Sequence, residues 1–154
     1  LCIRTTVAAA RAKGFPIENI VFEVIEGEAI RDQAHLANII NFYKEQGFST
    51  AIDDFGSGYA GLNLLAEYQP DFIKLDRQLV TGIHLNPPRQ AIARAVIQVC
   101  RDLHIGLLAE GVEEIAELAW FAEQGVELFQ GNYFAEPGFE ILPEVPAERL
   151  TISV

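Results

Sequence analysis

Strand-like and helix-like segments alternate along this chain, and that alternation limits the fold more than any other feature. Five runs rich in β-branched or aliphatic residues predict strands at residues 20–25, 49–52, 72–75, 105–109 and 126–129. Amphipathic runs predict helices at residues 3–13, 31–46, 62–67, 88–103 and 114–124. Strands that are apolar on both faces and alternate with helices indicate a parallel sheet covered by helices.

The spacing of these elements is that of an incomplete (β/α)₈ barrel. A chain of 154 residues, half of them hydrophobic, is enough for one domain and too short for two. A closed barrel takes about 250 residues, so the five strands correspond to about five eighths of one. We therefore predict one α/β domain over residues 1–154, a partial TIM-type barrel. Because the chain begins with Leu1 and contains no methionine, we expect it to be a piece of a longer protein.

Charge and composition exclude several classes of protein. The net charge of −11 and the pI of about 4.6 disfavour binding to DNA or RNA polymers, which are themselves polyanions. No apolar run approaches the ~20 residues that a transmembrane helix needs, and no signal peptide is evident. Cys100 follows an aliphatic run and is predicted to be a buried free thiol. We expect a cytoplasmic protein.

Each predicted strand carries polar side chains at or near its C-terminal end. These are Glu23 and Glu26, Asp53 and Asp54, Lys74 and Asp76, Glu110 and Glu113, and Gln130. The C-terminal ends of parallel barrel strands meet on one face, which is where active sites are built. Because a buried, unpaired carboxylate costs several kcal/mol, a cluster of carboxylates predicts bound cations, and oxygen ligands suit Mg²⁺ or Mn²⁺.

Two such ions can activate a water molecule and stabilise the leaving oxygen of a phosphodiester. Lys74 can orient that water or neutralise the charge that develops on the phosphate. The sequence therefore predicts a metal-dependent phosphodiesterase. Taken singly, the acids have simpler explanations: Asp54 as a turn residue and Glu113 as a helix cap.

Two other site types match parts of the sequence. Residues 56–61 fit the G-x-G-x-x-G pattern of a dinucleotide-binding loop, but Asp53 and Asp54 would then lie against the pyrophosphate. A phospho-receiver domain also combines five parallel strands, paired acids and a lysine. Its acid pair should end the first strand, whereas here the pair ends the second.

The motifs in order resemble the bacterial EAL domain. They are Glu23-Val24-Ile25-Glu26, Asp53-Asp54-Phe55-Gly56-Ser57-Gly58-Tyr59, Pro70-Asp71-Phe72-Ile73-Lys74-Leu75-Asp76, Ala109-Glu110-Gly111-Val112-Glu113, Gln130-Gly131 and Pro137. The resemblance runs from about residue 3 to residue 140. It implies a TIM-type barrel that hydrolyses cyclic di-GMP to linear pGpG with Mg²⁺ or Mn²⁺. The stretch 54–71 is especially similar to EAL domains of blue-light-sensing proteins.

The resemblance also implies a role for each matching residue. The implied metal ligands are Glu23, Asp53, Asp54 and Glu110. The implied catalytic residues are Lys74, Glu110 and Glu113. The implied substrate-binding residues are Asp76, Gln130 and Pro137. Glu26 matches the residue that anchors the loop 55–62, which couples dimerisation to the metal site in this family.

The N-terminal motifs of the family have no counterpart in this chain. The Glu-Ala-Leu motif and a metal-binding asparagine should both precede Glu23, and neither is present. Glu28-Ala29-Ile30 looks similar to the first motif but follows Glu23, so it is not the match. We expect that this chain is truncated and is inactive by itself. The parent protein is expected to be an active homodimer that also carries a regulatory sensor domain. The alternative is a non-catalytic EAL-like receptor for cyclic di-GMP or a protein-interaction module.

Overall fold

The computed structural model describes residues 3–25, 33–58 and 61–150, in which five parallel strands alternate with helices. The strands are β1 (Val21–Ile25), β2 (Ser49–Phe55), β3 (Phe72–Leu75), β4 (Gly106–Glu110) and β5 (Leu128–Gln130). The helices are α1 (Ile3–Lys13), α2 (Gln33–Glu45), α3 (Gly61–Tyr68), α4 (Arg77–Val80), α5 (Pro87–Leu103), α6 (Ile115–Glu123) and α7 (Ala147–Leu150). Short 3₁₀ helices cover Ile17–Asn19 and Ile83–Leu85. None of the described helices is both long and apolar enough to cross a bilayer.

The strands lie in the sheet in the order in which they occur in the chain, β1-β2-β3-β4-β5, and each neighbouring pair is parallel. Every crossover therefore moves one strand further in the same direction, as in a barrel wall. The dinucleotide-binding and phospho-receiver folds instead reverse their strand order at a switch point in the sheet. The order among the described strands thus confirms the barrel prediction and speaks against both alternatives.

The strand register separates a charged face of the sheet from an apolar one. Lys74 pairs with Leu108, and Glu110 pairs with Gln130. Because side chains alternate along a strand, the residues between them point to the other face. On that other face Ile73 and Ala109 are fully buried. Polar site residues consequently share the face that is not covered by the helices.

The main hydrophobic core lies between the apolar face and the helices. Ile97 of α5 and Phe121 of α6 are buried there with the strand residues, and Trp120 packs against the same cluster. Each such side chain contributes roughly 1.5–3 kcal/mol through burial. Cys100 is 2% exposed and free, as predicted. The core thus holds the strands from one side and leaves their C-terminal ends open.

The structure differs from the sequence prediction at several element boundaries. β5 begins at Leu128 rather than at residue 126, because the Val126 N–H still donates to the Phe121 carbonyl at the end of α6. β2 continues through the acid pair to Phe55. The short helices α4 and α7 were not predicted, since four residues are too few to show a helical period.

Candidate functional site

The centre of the site is the ammonium group of Lys74, which β3 places on the charged face of the sheet. Its Nζ atom lies 2.9 Å from Asp53 Oδ1 and 2.8 Å from Glu110 Oε1. A third carboxylate, Glu23 Oε1, lies 3.0 Å away. The whole lysine residue is only 8% exposed. Strands β1, β2 and β4 therefore each bring one predicted site acid to the lysine of β3.

The charges in this group shift two pKa values. Burial disfavours the charged form of Lys74, but hydrogen bonds to Asp53, Glu110 and Glu23 outweigh it and raise its pKa above the ordinary range. Burial also raises the pKa of Glu110, and Lys74 opposes that effect only in part. The negative charges of Asp53 and Glu23 raise the pKa of Glu110 further. The site thus holds more negative charge than its lysine balances.

An irregularity in β2 brings two consecutive acids to the same place. The pairing of β2 with β3 shifts between Ile52 and Phe55, and Asp54 adopts a left-handed backbone with φ of 55°. Such irregularities re-aim side chains that would otherwise point to opposite faces. Carboxylate oxygens of Asp53, Asp54 and Glu110 consequently lie within 4.8 Å of one another.

The residues of this cluster fit a hard divalent cation. All three carboxylates are half-buried, and oxygen donors of this kind are those that Mg²⁺ and Mn²⁺ take from proteins. Asp53 Oδ1 is buried, and its partner among the described residues is the Lys74 ammonium at 2.9 Å. Because a carboxylate oxygen has two lone pairs, one remains for an ion. The Glu23 side chain is 45% exposed and contacts the same Lys74 ammonium as Asp53 and Glu110.

The predicted substrate-binding residues lie in two different environments. Asp76 is 6% exposed, and its Oδ1 accepts the Gln78 N–H at 2.8 Å, so it caps the start of α4. Gln130 and Pro137 are both exposed and line one cleft of about 600 Å³ beside β5. No contact between these three residues and a ligand is established, so their substrate role stays a prediction. Glu26 lies outside the described residues.

The turn between β4 and α6 differs from the prediction at the helix cap, and it contains a buried acid, Glu117, that the sequence analysis did not single out. Glu113 is exposed and is not the cap of α6; Glu114 holds the N-cap position. Glu117, three residues further on, is 2% exposed and accepts the N–H groups of Glu113 and Glu114. The spacing of Glu114 and Glu117 is that of a capping box, a sequence signal that could have identified Glu117.

The fold and the acid cluster together define an α/β barrel-type protein with a candidate divalent-cation site at the C-terminal ends of its strands. The sequence matches the EAL domain family over residues 2–137, and the chain belongs to that family. It is 40% identical over 135 residues to the blue light- and temperature-regulated antirepressor BluF of Escherichia coli, covering 88% of this chain and 34% of that protein. It is 35% identical over 127 residues to the cyclic di-GMP phosphodiesterase PdeR of the same organism. That match covers 82% of this chain and 19% of PdeR.

Solved structures agree with this assignment. A standalone EAL protein from Vibrio cholerae in its c-di-GMP-bound form has a TM-score of 0.92 and 52% identity, covering 98% of this chain and 64% of that one. BlrP1 of Klebsiella pneumoniae in a manganese/c-di-GMP complex has a TM-score of 0.83 and 38% identity, covering 88% of this chain and 34% of that one. The chain therefore corresponds to only part of each relative.

Proposed function

We propose that this chain belongs to a metal-dependent phosphodiesterase that hydrolyses cyclic di-GMP to linear pGpG. The observation that carries the proposal is the grouping of Asp53, Asp54 and Glu110 beside the buried Lys74. A solved relative contains manganese together with cyclic di-GMP, and another relative bears the name of a cyclic di-GMP phosphodiesterase. The acids match the donor chemistry of that ion.

In this proposal Glu23, Asp53, Asp54 and Glu110 hold Mg²⁺ or Mn²⁺, with two ions in the complete site. When bound, such ions lower the pKa of water to the neutral range and stabilise charge on phosphate oxygens. Lys74 would orient the attacking water once a bound ion takes over one of its three carboxylate contacts. It also offsets negative charge as that charge develops on the phosphate.

Glu110 and Glu113 are proposed to accept the proton that the attacking water loses. Glu110 suits this role because its carboxylate lies in the acid cluster beside Lys74, where the attacking water would bind. Asp76, Gln130 and Pro137 are proposed to position the substrate. We further propose that residues 1–154 are part of the catalytic domain of a longer, cytoplasmic, homodimeric protein that also carries a regulatory sensor domain. Glu26 is proposed to anchor the loop 55–62.

A turnover assay on the protein as its gene encodes it tests the proposal. Purified protein is incubated with cyclic di-GMP and Mn²⁺, and pGpG is measured by chromatography, with EDTA as the metal-free reference. Asp53→Asn should abolish pGpG formation and leave the circular dichroism spectrum unchanged. The matched control is Asp102→Asn, the same substitution on the exposed surface of α5. Full activity in EDTA, or in the Asp53→Asn variant, would refute a metal-dependent hydrolase.

A non-catalytic cyclic di-GMP receptor is the second candidate, and the similarity to an antirepressor is what favours it. Isothermal titration run beside the turnover assay separates the two functions. Binding of cyclic di-GMP without pGpG formation, at saturating Mn²⁺, identifies a receptor. Binding accompanied by metal-dependent pGpG formation identifies the enzyme.

A further inference from the structure

Glu117 lies outside the proposed metal ligands, and its carboxylate ties two segments of the protein together. One oxygen, Oε1, accepts the Gly82 N–H at 2.7 Å. The other oxygen, Oε2, accepts the N–H groups of Glu113 at 2.9 Å and Glu114 at 3.1 Å. A carboxylate buried to this degree is tolerated because backbone donors satisfy both of its oxygens.

Capping of α6 explains only part of this arrangement. A capping box accounts for the bond from Glu117 to the Glu114 N–H. It does not account for the bond to Gly82, which lies 35 residues earlier in the chain. Gly82 follows α4, and α4 follows directly from the strand that carries Lys74. Glu117 therefore links the chain that leaves β3 to the chain that leaves β4.

The segment that leaves β4 is held from a second side by the chain around the end of β5. The Val112 N–H donates to the Gln130 carbonyl at 3.0 Å, and the Tyr133 N–H donates to the Val112 carbonyl at 3.0 Å. Val112 itself is fully buried. The backbone between Glu110 and Glu113 is therefore hydrogen-bonded to Glu117 on one side and to the chain around β5 on the other.

We propose that Glu117 is a positioning residue for the proposed hydrolysis and acts through Glu113. By fixing the Glu113 backbone, it holds the exposed Glu113 carboxylate at a constant place relative to Glu110 at the end of β4. Glu117 does not touch the reacting groups itself. This inference rests on the proposed function, because it assigns a role to a residue of that same site.

The first test is Glu117→Ala in the protein as its gene encodes it. We expect kcat for cyclic di-GMP to fall roughly 10- to 100-fold with little change in KM, because small misplacements of catalytic groups have effects of this size. Glu117→Gln keeps an oxygen that can accept from Glu113 and Glu114 but places an NH₂ group against the Gly82 N–H, so it should recover part of kcat. Glu123→Ala, an exposed site at the end of α6, is the matched control and should behave as wild type. A Glu117→Gln variant as impaired as Glu117→Ala would overturn the inference.

A double-mutant cycle distinguishes positioning from general destabilisation. In a Glu113→Gln background, Glu117→Ala should cause almost no further loss of kcat, since the group that it positions is already absent. If Glu117→Ala lowered kcat by the same factor in the Glu113→Gln background as in the wild type, Glu117 would act independently of Glu113. That result would overturn the proposal.

Amide hydrogen exchange separates this proposal from the proposed function. If the wild-type protein forms no pGpG, the phosphodiesterase assignment fails together with the catalytic role of Glu117. The anchoring contacts are still tested, because the Glu113, Glu114 and Gly82 amides should lose protection in Glu117→Ala. Unchanged protection at these amides would refute the anchoring itself, whatever the turnover result.

Discussion

Replacement of Lys74 by methionine tests whether the acid cluster needs a cation. The substitution removes the ammonium group and keeps most of the side-chain volume. Three carboxylates that lie 2.8–3.0 Å from Nζ would then lose their countercharge. Removing one partner of a buried ion pair destabilises a protein by about 3–5 kcal/mol. Because Glu23 is 45% exposed and can turn to solvent, we expect a loss of about 3 kcal/mol.

Thermal unfolding in EDTA at pH 8 measures this loss. For a chain of this size about 3 kcal/mol corresponds to a decrease in Tm of roughly 6–12 °C. Addition of Mn²⁺ at 100 times its Kd should add about 2.7 kcal/mol to the stability of the variant and bring its Tm close to that of the wild type in EDTA. Lys13→Met, an exposed lysine at the end of α1, should leave Tm nearly unchanged.

The reasoning would be refuted if Lys74→Met were as stable as wild type in EDTA. That result would mean that the carboxylates tolerate one another without a cation, and the electrostatic argument for the metal site would fail. A loss of stability that Mn²⁺ does not reduce would show that the acids need Lys74 itself rather than positive charge in general.

Other predictions concern the metal ligands, the buried thiol and the loop after β5. Asp53→Asn should lower Mn²⁺ affinity measured by titration by at least roughly 10-fold while the fold persists, since it removes a charged ligand. Burial raises the pKa of Cys100 to about 11, so the native thiol should react slowly with a disulfide reagent at pH 8 and rapidly once denatured. The pKa of Cys100 is higher in the folded protein than in the unfolded chain, so its contribution to stability should decline as pH rises from about 8.5 towards 11. Urea titrations should show this decline in the wild type and not in Cys100→Ser. Gly131→Ala should destabilise the protein by about 1–3 kcal/mol in urea titrations, because an added Cβ would lie 2.1 Å from the Val112 carbonyl oxygen.

The positions of the strands could be predicted from sequence because each is a short apolar run bounded by turn residues. β3 was predicted at its observed limits, and α1 likewise. The gathering of acids followed from one rule, that parallel barrel strands end on the same face. Sequence reasoning therefore predicted that Glu23, Asp53 and Glu110 lie close together, and the structure places each of them beside Lys74.

The remaining details depend on contacts that no local pattern encodes. Side-chain alternation would send Asp54 to the face opposite Asp53, and only the irregular backbone of β2 brings them together. Similarly, the spacing from Glu114 marks Glu117 as a capping-box residue but does not indicate that its side chain is buried. Glu117 also accepts the Gly82 N–H, and that contact depends on the packing of α6 against the 3₁₀ helix Ile83–Leu85.

The balance of charge bears on the choice between an enzyme and a receptor. One ammonium faces several carboxylates, and burial together with the charges of Asp53 and Glu23 raises the pKa of Glu110. Such a group lowers the stability of the protein unless further cations occupy the site. A metal-dependent hydrolase would use such cations to activate water, a step that a receptor recognising cyclic di-GMP by shape does not need. The electrostatic strain at Glu110 is therefore a physical reason to test for catalysis first.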